Sequence, residues 1–208
     1  MVNLTDEFNK NIPDSLGTAG QVLTINSGAT AGEWADAAGG AWQYITEVTA
    51  STDAYAAFPS SFTDTYDYYK VIAKDVKSPD ANQSNFYVEV TTDGTNYDSP
   101  NYRNYVYYNQ SSVTYLYSSG GEFSQNNGVT TQADQVASFE ATFYNMRGST
   151  AHKFIRIEGS SRSGYTPLPH NPINAWLSRF DSSAVQGFRF STDNNISGNF
   201  KLYGLNKS

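Results

Sequence analysis

The sequence predicts an all-β fold: an antiparallel β-sandwich, jelly-roll-like, preceded by an extended N-terminal arm. Three observations predict it. Aromatic residues make up 15% of the 208 positions, with 16 tyrosines and 12 phenylalanines, and such side chains favour the half-buried surface of a sheet. From Trp42 onward apolar residues recur with a period of two, in short runs closed by turn residues. No segment keeps an apolar 3.6-residue period through two capped turns.

The first element is the arm, residues 1–40. Its only aromatics are Phe8 and Trp34, and it carries five acids against one base, more than half of the chain's formal charge of −7. So little apolar surface does not repay ordering entropy, so in isolation the segment is expected to be a flexible arm. One stretch is patterned. Gly20-Gln21-Val22-Leu23-Thr24-Ile25-Asn26 alternates and closes on Ser27-Gly28, which reads as a short strand and turn, and Glu33-Trp34 follows. Two readings stand: a linker with a chance strand, or an anchoring and oligomerising segment held by Leu23, Ile25 and Trp34.

Residues 41–208 form the sandwich domain, with roughly ten strands expected. Trp42–Val48 opens it. Phe58-Pro59-Ser60-Ser61-Phe62 reads as a loop broken by Pro59, and Tyr68–Asp75 is the next strand. Asn85–Thr91 alternates and ends at Asp93-Gly94, a strong turn signal. Tyr102–Tyr108 and Val113–Tyr117 flank a polar turn and look like a hairpin. Gln135–Tyr144 and Lys153–Glu158 flank Asn145–Thr150 and suggest another. Ala175–Phe180, Gln186–Phe190 and Asn199–Leu205 complete the series.

Several function classes are excluded or disfavoured. Zero cysteines remove disulfide scaffolds, thiolate metal sites and cysteine nucleophiles. The 13 bases are scattered in an acidic chain, which argues against nucleic-acid binding. No apolar run is long enough to span a membrane, and the N-terminus has neither a basic nor an apolar signal region, so no membrane insertion and no signal peptide are expected. The two histidines, His152 and His170, have no zinc-like spacing, and no nucleophile-elbow or phosphate-loop pattern occurs. Asp64 with Asp67 and Asp93 with Asp98 are carboxylate pairs close in sequence, but all sit in turn-like polar segments, where Asp serves backbone geometry. Asp93-Gly94-Thr95-Asn96 could hold a cation through Asp93, Asn96 and backbone oxygens, or hold none. No enzyme activity, metal or cofactor is expected.

The most unusual run is Tyr102-Arg103-Asn104-Tyr105-Val106-Tyr107-Tyr108, followed by Tyr115-Leu116-Tyr117. On a hairpin Tyr105 and Tyr107 share one face, as do Tyr115 and Tyr117, with Val106 and Leu116 toward the core. A face built from Tyr102, Tyr105, Tyr107, Tyr115 and Tyr117 suits three roles: a subunit interface, a glycan-stacking face, or plain cross-strand pairs covering a sheet.

Two blocks carry a family resemblance. Leu16-Gly17-Thr18-Ala19-Gly20-Gln21-Val22-Leu23-Thr24-Ile25-Asn26-Ser27-Gly28-Ala29-Thr30-Ala31-Gly32-Glu33-Trp34-Ala35-Asp36 resembles a segment of tail-fibre and related virion proteins of tailed bacteriophages, cyanobacterial and marine ones especially. The stretch Gly187–Leu205, with Ile196-Ser197-Gly198 and Lys201-Leu202-Tyr203-Gly204, is similar to the closing pattern of small phage β-sandwich domains: a strand, a polar turn and a final strand. The resemblance implies a virion protein whose N-terminal segment attaches to the particle or trimerises, while the C-terminal domain projects outward. A homotrimer, contacts with other tail or capsid proteins and a host cell-surface glycan are the implied partners. The chain has no shaft and no internal repeat, which leaves a short tail fibre, a spike or a capsid decoration protein open. A glycan-degrading enzyme is the reading from another class, disfavoured by the lack of an acid pair.

Overall fold

The computed structural model describes residues 21–25, 32–36, 42–79, 84–98, 103–106, 122–129, 136–149, 152–161, 171–179 and 183–206. The chain divides into two compact units, Met1–Ala41 and Trp42–Lys207. All described regular structure is β, and every strand pair is antiparallel.

In the first unit β1 (Gln21–Ile25) pairs with β2 (Gly32–Asp36) as a two-stranded hairpin. The strand expected around residues 20–26 is present. Its partner is the stretch around Glu33-Trp34, with Leu23 directly opposite Trp34 and Ile25 opposite Gly32.

The second unit holds ten described strands in one hydrogen-bonded sheet: β3 (Trp42–Phe58), β4 (Tyr66–Lys77), β5 (Ser84–Thr91), β6 (Tyr97–Asp98), β7 (Arg103–Val106), β8 (Glu122–Val129), β9 (Ala137–Tyr144), β10 (Lys153–Ser161), β11 (Asn171–Arg179) and β12 (Gly187–Asn206). The order is β6-β5-β12-β4-β9-β10-β11-β7, with β3 also on β12 and β8 also on β5. This is the expected all-β, sandwich-like fold, with one sheet curling over itself to make both layers.

The sequence explains the curl. Alternation fixes one inward face: Ala137, Phe139, Ala141 and Phe143 of β9 are buried, and Ser138, Glu140, Thr142 and Tyr144 point away. Phe86, Val88 and Val90 of β5 do the same. Phenylalanines from both layers meet in the middle. Phe143 lies 4.4 Å from Phe188, Phe139 5.4 Å from Phe190, and Phe123 5.3 Å from Phe139, all as ring centroids. Phe62, from the loop after Pro59, plugs one end by stacking on Phe188 at 5.1 Å. Each fully buried ring contributes about 1.5–3 kcal/mol from burial, and each well-placed ring pair about 0.5–1.5 kcal/mol more.

The corner is made by β12. Residues 187–192 pair with β5, and residues 197–206 pair with β4, with β3 alongside throughout. Between the two halves the register with β3 shifts twice, at Ser191/Ile196 and Ile196/Gly198. The expected polar turn with two separate strands is therefore one 20-residue strand with bulges. A strand can pass from one layer to the other this way, because bulges bend and twist it without breaking it. Neighbouring strands bend at the same level: Thr52 in β3 and Asp75 in β4 both have positive φ, at 63° and 54°. Backbone groups that leave the ladder find side chains. The Thr52 N–H donates to Ser197 Oγ (2.8 Å), the Ser51 N–H to Asp53 Oδ2 (2.7 Å), and Thr192 Oγ1 to the Asn195 carbonyl (3.0 Å).

Other differences from the sequence expectation are of length. β3 continues ten residues beyond Val48, and β6 and β8 were not foreseen. The Gln135–Glu158 hairpin is present, with Asn145 in the left-handed region (φ 57°) at its turn. For the expected Tyr102–Tyr117 hairpin, β7 is described and pairs with β11, while Val113–Tyr117 lies outside the described residues.

Candidate functional site

The outward positions of an antiparallel sheet with one solvated face should be polar. Across β3, β12, β4, β9, β10 and β11 many are not. Register places Trp42, Leu205, Tyr68, Tyr144 and Phe154 side by side on successive strands. The next row runs Tyr44, Tyr203, Lys70, Thr142, Arg156 and Trp176. Six large hydrophobic side chains are exposed among the described residues, and five of them, Trp42, Tyr44, Tyr68, Phe154 and Trp176, belong to these two rows. Six strands at about 4.8 Å spacing make the stripe roughly 24 Å long.

The rings are held in place. Lys70 Nζ sits 5.0 Å from the Trp42 ring centre, and the Arg156 guanidinium 5.2 Å from that of Trp176. Tyr44 meets Tyr203 edge-on at 5.8 Å, and Tyr68 meets Tyr144 at 5.4 Å. Each cation is also paired with a carboxylate: Lys70 with Glu140 at 2.9 Å, Lys201 with Glu47 at 3.7 Å, and Arg156 with Glu158. The face is thus aromatic, and its three named cations are each paired with a carboxylate.

A second cluster lies on the outer face of the other half. Arg189 of β12 is stacked between Tyr55 (4.8 Å) and Tyr97 (4.5 Å), and its Nε donates to Glu89 at 2.5 Å. Burial pushes the Tyr97 hydroxyl up from its ordinary value, with Arg189 opposing. Tyr87 donates to Asp193 at 2.5 Å beside it. The guanidinium has two rings and a carboxylate, so the cluster reads as a clamp joining β3, β12, β5 and β6.

Three of the four carboxylates singled out in the sequence, Asp64, Asp93 and Asp98, have backbone or ion-pair duties. Asp93 Oδ1 accepts the N–H of Thr95 (2.8 Å) and of Asn96 (2.7 Å), and Asn96 Nδ2 donates to Oδ2 (2.6 Å). These bonds, that from the Asn96 side chain first, hold the carboxyl well below the usual range. Both oxygens of the candidate cation ligand thus serve the turn, where Gly94 has φ 80°. Asp64 pairs with Arg147 at 3.2 Å on the rim of an open concavity of about 350 Å³ that also touches Ser60, Phe62 and Gln186. Asp67 is exposed at the start of β4, and Asp98 lies 4.0 Å from Arg179. His152 is exposed before β10, and His170 lies outside the described residues. Among the described residues no group of three His, Cys, Asp or Glu could hold a metal, and no helix is long and apolar enough to cross a membrane.

Of the tyrosines proposed as a face, Tyr105 falls on β7, opposite Trp176 of β11. Tyr102, Tyr107, Tyr115 and Tyr117 lie outside the described residues. Trp42, Tyr44, Tyr68, Phe154 and Trp176 were missed as site residues. The available signal was parity: Phe154 is out of phase with Ile155 and Ile157, and Tyr68 with Tyr69 and Val71. Which parity faces solvent was not readable until the strands were paired.

Comparison of the chain with protein-family models, with curated proteins and with solved structures gives no match.

Proposed function

We propose that this chain is a structural protein of a bacteriophage virion, a short tail fibre or spike, whose β domain is a non-catalytic module for host-surface attachment. The observation that carries the binding part is the exposed aromatic stripe across six strands. Exposed aromatic rings gathered on one face of a sheet mark an interaction site, as apolar residues scattered singly do not. The virion part is supported by the resemblance of residues 16–36 and 187–205 to phage appendage segments. In this reading the first forty residues, with Leu23 and Trp34 paired across β1 and β2, anchor or trimerise the protein. Several copies on one particle then add weak contacts through effective concentration.

A capsid decoration protein is the second reading. The exposed rings themselves are the observation behind it, because Trp, Tyr and Phe are enriched where one protein subunit meets another. An antibody against the β domain, applied to purified particles in electron microscopy, separates the two. Label at the tail supports attachment, label over the shell supports decoration, and unlabelled particles overturn both.

A further inference from the structure

We propose that the outer aromatic stripe is a binding site for neutral polysaccharide, with Trp42, Tyr44, Tyr68, Phe154 and Trp176 as its stacking rings. The inference rests on the attachment reading above and names the ligand of that module.

Four features select this ligand class. First, the stripe runs about 24 Å across six strands on the outer side of the curled sheet, whereas sites for small molecules are concave. An extended chain fits; a compact ligand does not. Second, the rings are preorganised. Lys70 and Arg156 lie over the two indoles, and two tyrosine pairs brace each other edge-on. Little ordering entropy remains to be lost on binding. Third, three cations face three carboxylates across the stripe, so no net charge recruits a polyanion such as nucleic acid or an acidic polymer.

The fourth feature separates sugar from protein. Lys70 and Arg156 stand within the second aromatic row, between Tyr203 and Trp176, and their partners Glu140 and Glu158 flank that row. A protein partner covering the rings would also cover Lys70 and Arg156, and the desolvation of such a charge can exceed the attraction it makes. Cores of protein interfaces are accordingly depleted in charge. A polysaccharide lays apolar ring faces on the aromatics and offers hydroxyls to the same lysine, arginine and glutamates, so their hydration is replaced. The exposed ring surface points the same way. At 150–250 Å² per aromatic, the five rings expose roughly 400 Å², about half of what one partner contributes to a standard protein interface.

The test is affinity electrophoresis of the full-length chain through gels containing an α-mannan, a β-glucan or a galactan, with alginate as the acidic control. At least one neutral polymer should retard the protein, and alginate should not. Trp42→Ala with Trp176→Ala should weaken retardation about tenfold, whereas Trp42→Phe with Trp176→Phe should keep most of it. Circular dichroism melting shows whether the alanine pair still folds. If it does not, Tyr44→Ala, which removes the most exposed of these rings, should weaken retardation about threefold. No retardation by any neutral polymer, or retardation that the alanine variants leave unchanged, overturns the proposal. So does a wild-type oligomer in sedimentation that the alanine pair converts to monomer, since the face then belongs to a second copy. Unlabelled particles in the antibody experiment would overturn the virion reading and leave a positive gel result standing. Labelled tails without retardation would overturn the polysaccharide alone.

Discussion

At the scale of single residues, polar side chains here mostly serve the backbone. Asp93 closes the β5–β6 turn by accepting two N–H groups and one side-chain amide. Tyr69, buried by its ring, accepts the Thr63 N–H and donates to the Thr63 carbonyl, both at 2.6 Å, and so ties the Pro59 loop to β4. Burial is the main cause that pushes its hydroxyl up. Asp93 gives a pH dependence whose sign is fixed by its depressed folded value. Its contribution is complete above the unfolded carboxyl value of 3.8 and is lost as acid protonates the folded form below that. The gap between thermal melts of wild type and Asp93→Asn should therefore narrow steadily from about pH 4 down to about pH 2. A gap that stays constant across the range would mean that the carboxylate charge has no part in the turn. The turn itself was legible from Asp93-Gly94. The full use of the carboxylate was not, because two of its partners are backbone groups common to every sequence.

At the scale of elements, β12 decides the architecture. Phe188 and Phe190 belong to the half that pairs with β5, Phe200 and Leu202 to the half that pairs with β4, and all four are buried. Close approach at the start of the strand needs glycine: a Cβ on Gly187 would stand 2.2 Å from the Phe58 carbonyl oxygen. Gly187→Ala should lower stability by about 2 kcal/mol or more in urea unfolding, through overpacking against backbone. Ser191→Ala, farther along the same strand, should change it by less than about 0.5 kcal/mol. Equal effects would mean that the approach relaxes freely. Both halves of β12 were readable as alternating runs. Their continuity was not, because Asp193-Asn194-Asn195 looks like a turn and becomes a bulge only when β3, β4 and β5 supply partners. β8 escaped for a related reason. Phe123 is its one described core residue, and Ser124-Gln125-Asn126-Asn127-Gly128 has no apolar alternation.

At the scale of the whole molecule, a phenylalanine core built from both layers stabilises a scaffold whose outer surface carries the aromatic stripe. The core draws its buried side chains from Ala50 to Leu202, all within the second unit. Removing residues 1–41 should therefore leave the melting temperature of the β domain within a few degrees of the full chain at equal concentration. A large fall would show that the first unit contributes to the core. The sequence established an aromatic-rich sheet protein, and sheet registry turned that surplus into a located face. The most direct test of that face uses its own chromophores. Two of the three tryptophans, Trp42 and Trp176, lie on it. In a Trp34→Phe background, titration with the retarding polysaccharide should shift the emission to the blue and saturate, as stacked sugar displaces water from both indoles. Emission that stays unchanged while the polymer is bound would place the ligand elsewhere and contradict the aromatic stripe as the binding face.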